Sequence, residues 1–507
     1  MTESGPYQSI GIVGGGTAGY FAALAFRAQL PHLSVTLIES PEIPIIGVGE
    51  ATTPVTVKFL HNYLKKDINE LFKIIEPTWK LGLKFEWGLP GDYYFNYAFD
   101  PGPVLEGNVF ESDVNSYSLG SLLMSADKVP MVREGGRIIS LLNRVPFAYH
   151  LDNAKFVEYL KDQAEKDGVE RVNGTISEVK TSADGEEVTE LVLSDGTSRS
   201  FDLYIDCSGY GSLLLEKAVG SEYLTFKSSL FTDSAIVANV PHGGDIKPYT
   251  RVESMESGWC WGIPTVESDH RGYVFSSDFI SPEDAEAEMR SKNPGMSDIT
   301  LELVKFRSGR HSHFWKGNVV GMGNAYAFVE PLESTGLHMI IHEINQLILN
   351  FPSSKADTAI KRIVNQRLND HWDSIRWYLA LHYKFNRRFN TPFWETCRND
   401  TDISGAQDRV DIFQERAPLT YRQSLFHRPE EIFSDFGYDV LLLGQKVEAK
   451  YVEPGESRAD YAKRTTALKE IVSRAVTQAE AIQALRNGPP ELLESVVSSE
   501  GTWGTWP

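Results

Sequence analysis

The first regular structure reads as a short apolar run, Ile10 to Val13, that breaks into glycines and resumes as an apolar-rich stretch from Tyr20 to Leu30. A second apolar run, Val35 to Ile38, ends on Glu39. Short apolar runs bounded by turn residues predict buried strands, and a longer run free of Gly and Pro predicts a helix. The expected order is therefore strand, glycine turn, helix, strand. Farther on, "HLDNAKFVEYLKDQAEKDGVE" predicts a helix capped at Asp152 or Asn153 and stopped at Asp167-Gly168. A β-meander follows, with turns at Asp184-Gly185 and Asp195-Gly196, and "FDLYIDCSGYGS" runs a strand into a Gly-containing turn. "GNVVGMGNAYAFVEP" repeats that pattern before Pro331, and "LHMIIHEINQLILNF" carries apolar residues at 340, 341, 344, 347, 348 and 351, a helical spacing.

Two segments alternate with period two. In "WKLGLKFEW", Trp79, Leu81, Leu83, Phe85 and Trp87 share one face, with Lys80, Gly82, Lys84 and Glu86 on the other. Taken alone, this is a half-exposed strand with a solvated lysine. In "GWCWGIP", Trp259, Trp261 and Ile263 form one apolar wall, its rings roughly 7 Å apart, with Cys260 on the opposite face. From residue 347 onward the pattern is mostly helical, for example from near Asp460 to Gly488, and the final "GTWGTWP" reads as a loose tail.

Composition narrows the class. The 507 residues are 41% hydrophobic and 23% charged, an ordinary globular balance with room for more than one lobe. A net charge of −20 argues against nucleic-acid and anionic-membrane partners, which need clustered Lys and Arg. Cys207, Cys260 and Cys397 are scattered, without metal-ligand spacing, so no metal is expected. With no basic leader before an apolar run and no long apolar stretch, a cytoplasmic location is expected.

The glycine turn carries the first chemistry. Gly14, Gly16 and Gly19, with Thr17 and Ala18 among them, follow a strand, open a helix and precede Glu39. This is the full context of a dinucleotide site. Backbone N–H groups at a helix N-terminus meet the pyrophosphate, and the acid accepts from ribose hydroxyls. The later helix, meander and strand-turn segments resemble the FAD domain of the flavoprotein monooxygenase superfamily. That resemblance implies FAD, with Ile176 on the strand passing the adenine and Asn324 near the ribityl chain.

"GVGEAT" (Gly47 to Thr52), "WKLGLKFEW", "GWCWGIP", "FVEPLESTG" (Phe328 to Gly336) and "LHYKFNRRFNTPFW" (Leu381 to Trp394) together resemble the flavin-dependent tryptophan halogenases, in register to about residue 400. The family usually has Asp where Asn390 stands. The resemblance implies an α/β fold: a Rossmann-like FAD lobe of the glutathione-reductase type with a β-sheet substrate region, and a mostly α-helical C-terminal lobe. Residues 1–346 would form the flavin box, and 347–507 would cover the substrate.

It also implies site roles. Gly49 and Ala51 would contact the flavin, Leu337 would lie against it, and Thr335 and Gly336 would bind chloride or bromide. Lys80 and Glu333 would be catalytic. Trp259, Trp261, Ile263 and Pro264 would separate flavin from substrate. In the reaction implied, FADH2 and O2 form a flavin hydroperoxide that oxidises halide to hypohalous acid, which Lys80 presents to an electron-rich aromatic carbon. From the residues alone, Ser334, Thr335 and Gly336 at a helix start suit either an anion or a plain hydroxyl cap. Glu333 can also complement the helix dipole.

The substrate region departs from the family. Tyr97 and Phe99 stand where a His and a Phe are common, and Arg428 to Val447 lacks the usual paired tryptophans and aromatic cluster. Indole-like, phenolic and peptide-borne aromatics therefore stay open as substrates. No second GxGxxG unit serves NAD(P)H, so a separate flavin reductase is the expected partner, with the chain a monomer or homodimer. The competing readings are an aromatic hydroxylase of the same superfamily, against which the double tryptophan argues, and a non-catalytic flavin-binding module.

Overall fold

The computed structural model describes residues 5–43, 49–88, 94–101, 113–426, 431–453, 455–487 and 493. They fall into two compact units that alternate along the chain. The first takes residues within 1–47, 152–226 and 306–373, and the second those within 48–151, 227–305 and 374–507.

The first unit is built on a six-stranded sheet in the order Glu170–Asn173, Ser34–Glu39, Ser9–Val13, Leu203–Asp206, Val319–Gly321, Trp315–Lys316. The first five strands run parallel and the last antiparallel. Ile10, Ile12, Leu37, Leu203 and Ile205 are buried, as expected for parallel strands covered on both faces. The first helix, Thr17–Gln29, buries Tyr20 to Phe26. The predicted second helix is Asn153–Lys166, and Asp152 caps it by accepting from Lys155 N–H. The meander is Ile176–Thr181, Val188–Leu193 and Ser198–Arg199, with Gly185 and Gly196 at positive φ in its turns.

The second unit holds a seven-stranded sheet in the order Glu302–Lys305, Ser234–Val240, Asp269–Phe275, Gly258–Pro264, Thr250–Met255, Gly82–Glu86, Phe95–Ala98. Only the pair Thr250–Met255 and Gly82–Glu86 is parallel. A three-stranded sheet places Ala148–Asp152 between Gly49–Ala51 and Thr78–Lys80. One face of the larger sheet packs Ile236, Met255, Cys260, Tyr273 and Phe275 against Ala285, Met289 and Met296.

Helices dominate from Thr358 onward. The helix expected from Asp460 to Gly488 is two, Arg458–Arg474 and Gln478–Asn487; Gly488 lies outside the described residues. The break has two causes. Val476 exchanges backbone hydrogen bonds with the chain at Val129 and Met131. Thr477 and Glu480 then cap each other reciprocally, Thr477 N–H to Glu480 Oε2 at 2.7 Å and Glu480 N–H to Thr477 Oγ1 at 3.3 Å. The "GTWGTWP" tail, Gly47 and Val48 lie outside the described residues.

Candidate functional site

In the first unit the glycine turn is required sterically. A Cβ on Gly14 (φ +123°) would fall 2.2 Å from the Cys207 carbonyl oxygen, and one on Gly19 would fall 1.9 Å from that of Gly14. Gly16 occupies the N-cap of Thr17–Gln29 without a side-chain cap, and no acidic residue stands in the first turn. Among the described residues no side chain caps those N–H groups, which with the positive end of the helix dipole suit a pyrophosphate. Thr17 Oγ1 instead turns to Asn153 Oδ1 (3.3 Å). Glu39 is fixed at the strand end by Tyr20 Oη, which donates at 2.8 Å, and by an ion pair with Arg171. Gly174 N–H donates to the Glu39 carbonyl (2.9 Å), so the strand headed by Ile176 starts beside the acid.

Asn324 is exposed on the short turn Gly323–Ala325. Gly323 (φ +57°) lets that turn sit tight: a Cβ there would meet Ile340 at 3.1 Å and Ala18 at 3.4 Å. The turn that carries Asn324 is thereby packed against the first helix and against Gly336–Leu349. A residue that sequence reading missed holds it in place. Glu343 is wholly buried and accepts from Gly323 N–H (2.8 Å) and from the Trp372 indole N–H (3.0 Å), and burial pushes its pKa up to about 8. A single acid within an apolar helix was the available signal.

Thr335 is the N-cap of Gly336–Leu349, but its hydroxyl does not cap, and no acid stands in the first turn. The plain hydroxyl cap is therefore not what the geometry shows. Ser334, in the left-handed region at φ 58°, turns the chain into this helix from Pro331–Glu333. Glu333, Thr335 and Leu337 are buried, while Gly336 is exposed.

In the second unit the alternation of "WKLGLKFEW" breaks at Leu81. Thr78–Lys80 joins the three-stranded sheet and Gly82–Glu86 the seven-stranded one, with Leu81 N–H donating to the Pro248 carbonyl between them. The solvated-lysine expectation fails: Lys80 is 0% exposed, its ammonium 5.4 Å from the centre of the Phe99 ring. Its neighbours on the strand are held from two sides. The Thr78 hydroxyl donates to the Pro264 carbonyl (2.6 Å), which ties this strand to the end of "GWCWGIP". Gln478, the first residue of Gln478–Asn487, accepts from Trp79 N–H (2.8 Å) and donates to the Trp79 carbonyl (3.2 Å).

All of Gly258–Pro264 is buried. The Trp259 and Trp261 rings lie 5.9 Å apart at 55°, closer than the expected strand repeat, and neither buried indole N–H has a hydrogen-bond partner among the described residues. Trp261 lies over Gly272 of the adjacent strand, where a Cβ would fall 1.9 Å from its ring. Cys260 faces the sheet core, opposite the tryptophan wall as the alternation predicts, and burial raises its thiol pKa to about 11. Gly49 packs on the His270 ring of the same strand as Gly272, leaving 2.7 Å for a Cβ, and Ala51 ends the short strand.

Tyr97, opposite Leu83, lies 6.1 Å from Phe436, and its hydroxyl fills the space beside Gly437. Phe433 stacks on Tyr378 at 3.8 Å. The segment read as lacking an aromatic cluster thus contributes Phe433, Phe436 and Tyr438, which gather around Tyr97 and Tyr378. Single aromatics spaced along a chain give no sign that they converge. Asn390 accepts from Arg398 (3.1 Å). A cleft of about 520 Å³ lined by Arg310, His313, Lys361 and Arg362 contains none of the predicted site residues.

The tryptophan halogenase family model matches residues 9–461. Among solved structures, the lanthipeptide tryptophan 5-halogenase MibH is similar, with 44% identity, a TM-score of 0.90, and coverage of 98% of this chain and 96% of that one. BrvH, a flavin-dependent halogenase from Brevundimonas sp. BAL3, is 28% identical, with a TM-score of 0.83 over 95% of this chain and 99% of its own. Among curated relatives, the tryptophan 6-halogenase SttH of Streptomyces toxytricini is 28% identical over 90% of this chain and 94% of its own. The chain belongs to the tryptophan halogenase family of flavin-dependent enzymes.

Proposed function

We propose that this enzyme uses FADH2, O2 and chloride or bromide to halogenate an electron-rich indole carried on a peptide. Greater identity to the lanthipeptide halogenase than to the curated tryptophan 6-halogenase supports the peptide-borne choice. The observation that carries the reading is a fully buried lysine whose strand is hydrogen-bonded to the end of the double-tryptophan strand. Burial forfeits the hydration of an ammonium, and a lysine kept at that cost in an aromatic setting supports a role in the reaction.

The residues present fit FAD. The uncapped first helix takes the pyrophosphate, Glu39 the ribose, Ile176 the adenine side and Asn324 the ribityl side, with Gly49, Ala51 and Leu337 beside the ring. When bound in its reduced form with oxygen, FAD supplies the two-electron oxidation of halide to hypohalous acid, with water as the other product. Thr335 and Gly336 hold the halide at an uncapped helix N-terminus. Lys80 donates a hydrogen bond to the hypohalous acid or carries its halogen, and aims it at the ring carbon. Glu333 takes the ring proton as the carbon–halogen bond forms. Trp259, Trp261, Ile263 and Pro264 keep the ring from direct oxygen transfer, and Tyr97 and Phe99 line the substrate side. Residues 347–507 form the cover of the substrate, and a separate NAD(P)H-dependent flavin reductase supplies the reduced cofactor.

The test supplies FAD, NADH, a generic flavin reductase and each halide with free tryptophan, simple indoles, phenols and tryptophan-containing peptides. Halogen isotope pairs on peptide products are expected. Products heavier by one oxygen and free of halogen would overturn the reading in favour of the hydroxylase.

A further inference from the structure

His150 lies on the central strand of the three-stranded sheet, opposite Thr78, while Ala148 lies opposite Lys80. Paired and alternate residues share a face, so His150, Thr78 and Lys80 all project from one side of this sheet. His150 and Lys80 are wholly buried, as is Thr78. The contacts around the imidazole have a fixed direction. The Thr78 hydroxyl has one proton and donates it to the Pro264 carbonyl at 2.6 Å. Toward His150 Nδ1, at 3.3 Å, Thr78 can therefore only accept. The Pro264 carbonyl, an acceptor, faces the same ring. Nδ1 must carry the hydrogen, which leaves Nε2 as the acceptor for the Thr250 hydroxyl at 2.9 Å.

The chain runs Thr250 to His150 to Thr78 to Pro264 without leaving the interior. Thr250 is only 3% exposed and belongs to the strand that pairs with "GWCWGIP". Burial keeps the imidazole well below its usual pKa, with the charge of Lys80 and then His270 acting in the same direction. Those are the titratable groups that face it. A protonated ring would present a second donor to Thr250 and a second cation to Lys80.

Resting on the halogenase reading, we infer that His150 is a positioning residue for Lys80, a neutral Nδ1–H imidazole that fixes Thr78, and through it the lysine, against the end of the double-tryptophan strand. Its contacts are Thr78, Thr250 and the Pro264 carbonyl. Its effect is on where the ammonium stands, so its loss should separate oxidant formation from oxidant use.

The test compares full-length Thr78→Ser, Thr78→Val and His150→Phe with the parent. Two quantities are read in parallel: halogenated peptide, and hypohalous acid captured by a small soluble scavenger. Thr78→Ser keeps the hydroxyl and should retain the parent ratio. Thr78→Val and His150→Phe should lower halogenated product by about tenfold or more, since misplacing a reacting group by 1 Å can cost 100-fold. Scavenged oxidant should stay at the parent level. Equal product yields from Thr78→Val, or a parallel fall of product and oxidant in both variants, would overturn the inference.

Two spectroscopic readings need no turnover. In protein labelled with 15N-histidine, the His150 signal, assigned by its loss in His150→Gln, should report a neutral Nδ1–H ring down to pH 5. The 13Cε signal of Lys80, assigned with Lys80→Met, should move in Thr78→Val and His150→Phe but not in Thr78→Ser. An Nε2–H tautomer or an unmoved Lys80 signal overturns the inference. A Lys80 signal that moves in Thr78→Val and His150→Phe while the parent halogenates nothing sinks the halogenase reading alone.

Discussion

Lys80 shows how far one position can depart from its local pattern. Alternation puts it on the polar face of a strand, yet the strand changes sheets at Leu81 and the lysine ends beneath Phe99 without exposure. Lys80→Ala is expected to abolish halogenation while leaving oxygen-dependent reoxidation of reduced flavin intact, as followed by flavin absorbance. Halogenation at the parent rate would remove Lys80 from the reaction. Gly272 is the second residue whose role lies in its contacts. Its missing side chain is the floor under Trp261. Gly272→Ala should displace the indole and cost about 1–3 kcal/mol as an overpacked core site, read by urea denaturation together with tryptophan fluorescence. An unshifted denaturation midpoint would show that the ring has room to move.

At the scale of elements, the helix Gln478–Asn487 matters most for what its first residue reaches. Gln478 satisfies both backbone groups of Trp79 and donates to the Lys247 carbonyl (3.0 Å), while the reciprocal caps of Thr477 and Glu480 start its helix. Gln478→Leu leaves three backbone groups in the interior unpaired and should cost about 2–4 kcal/mol, measured by chemical denaturation. It should also weaken halogenation, because the strand of Lys80 loses one of its two restraints. A fully active Gln478→Leu enzyme would show that the Thr78 side holds the strand alone. The helix Gly336–Leu349 was legible from its period, as were the glycine turn and the first two strands. Its uncapped start was not, because a Thr at the N-cap position reads as a cap until its hydroxyl is seen to do otherwise.

Across the whole molecule, burial sets two opposing titrations. His61, His338 and His371 are pushed down to about 4 and His342 to about 2, and His150 also lies well below 6.5, each chiefly by desolvation. These rings are neutral in the fold and take protons when it opens, so their contribution is lost as pH falls from 6.5 toward 4. Glu50 and Asp439 are raised to about 7 and Glu343 to about 8, again by burial. They stay protonated in the fold and ionise in the unfolded chain, so stability is lost as pH rises from about 4.5 through 8. His311 is lowered and Asp206 raised in the same way, so below 6.5 the histidines outnumber the carboxyls, and above it the carboxyls dominate. The melting temperature should therefore peak near pH 6.5 and fall on both sides. A steady rise to pH 8 would show that these carboxyls find ionised partners.

The sequence by itself determined the glycine turn between the first strand and helix, the acid that ends the second strand, and the family motifs. Each of these depends on neighbours a few residues apart: glycines where a Cβ has no space, an acid at a strand end, apolar runs of fixed period. The tertiary structure alone decided that Lys80 is buried, that Thr78, His150 and Thr250 form one directed hydrogen-bond chain, and that Gln478 closes the strand from the far end of the polypeptide. It also gathered Tyr97, Tyr378, Phe433 and Phe436 into one aromatic cluster. The physical reason is range. Backbone sterics and periodicity act along the chain, whereas desolvation and hydrogen-bond pairing are set by whichever distant segments are packed alongside.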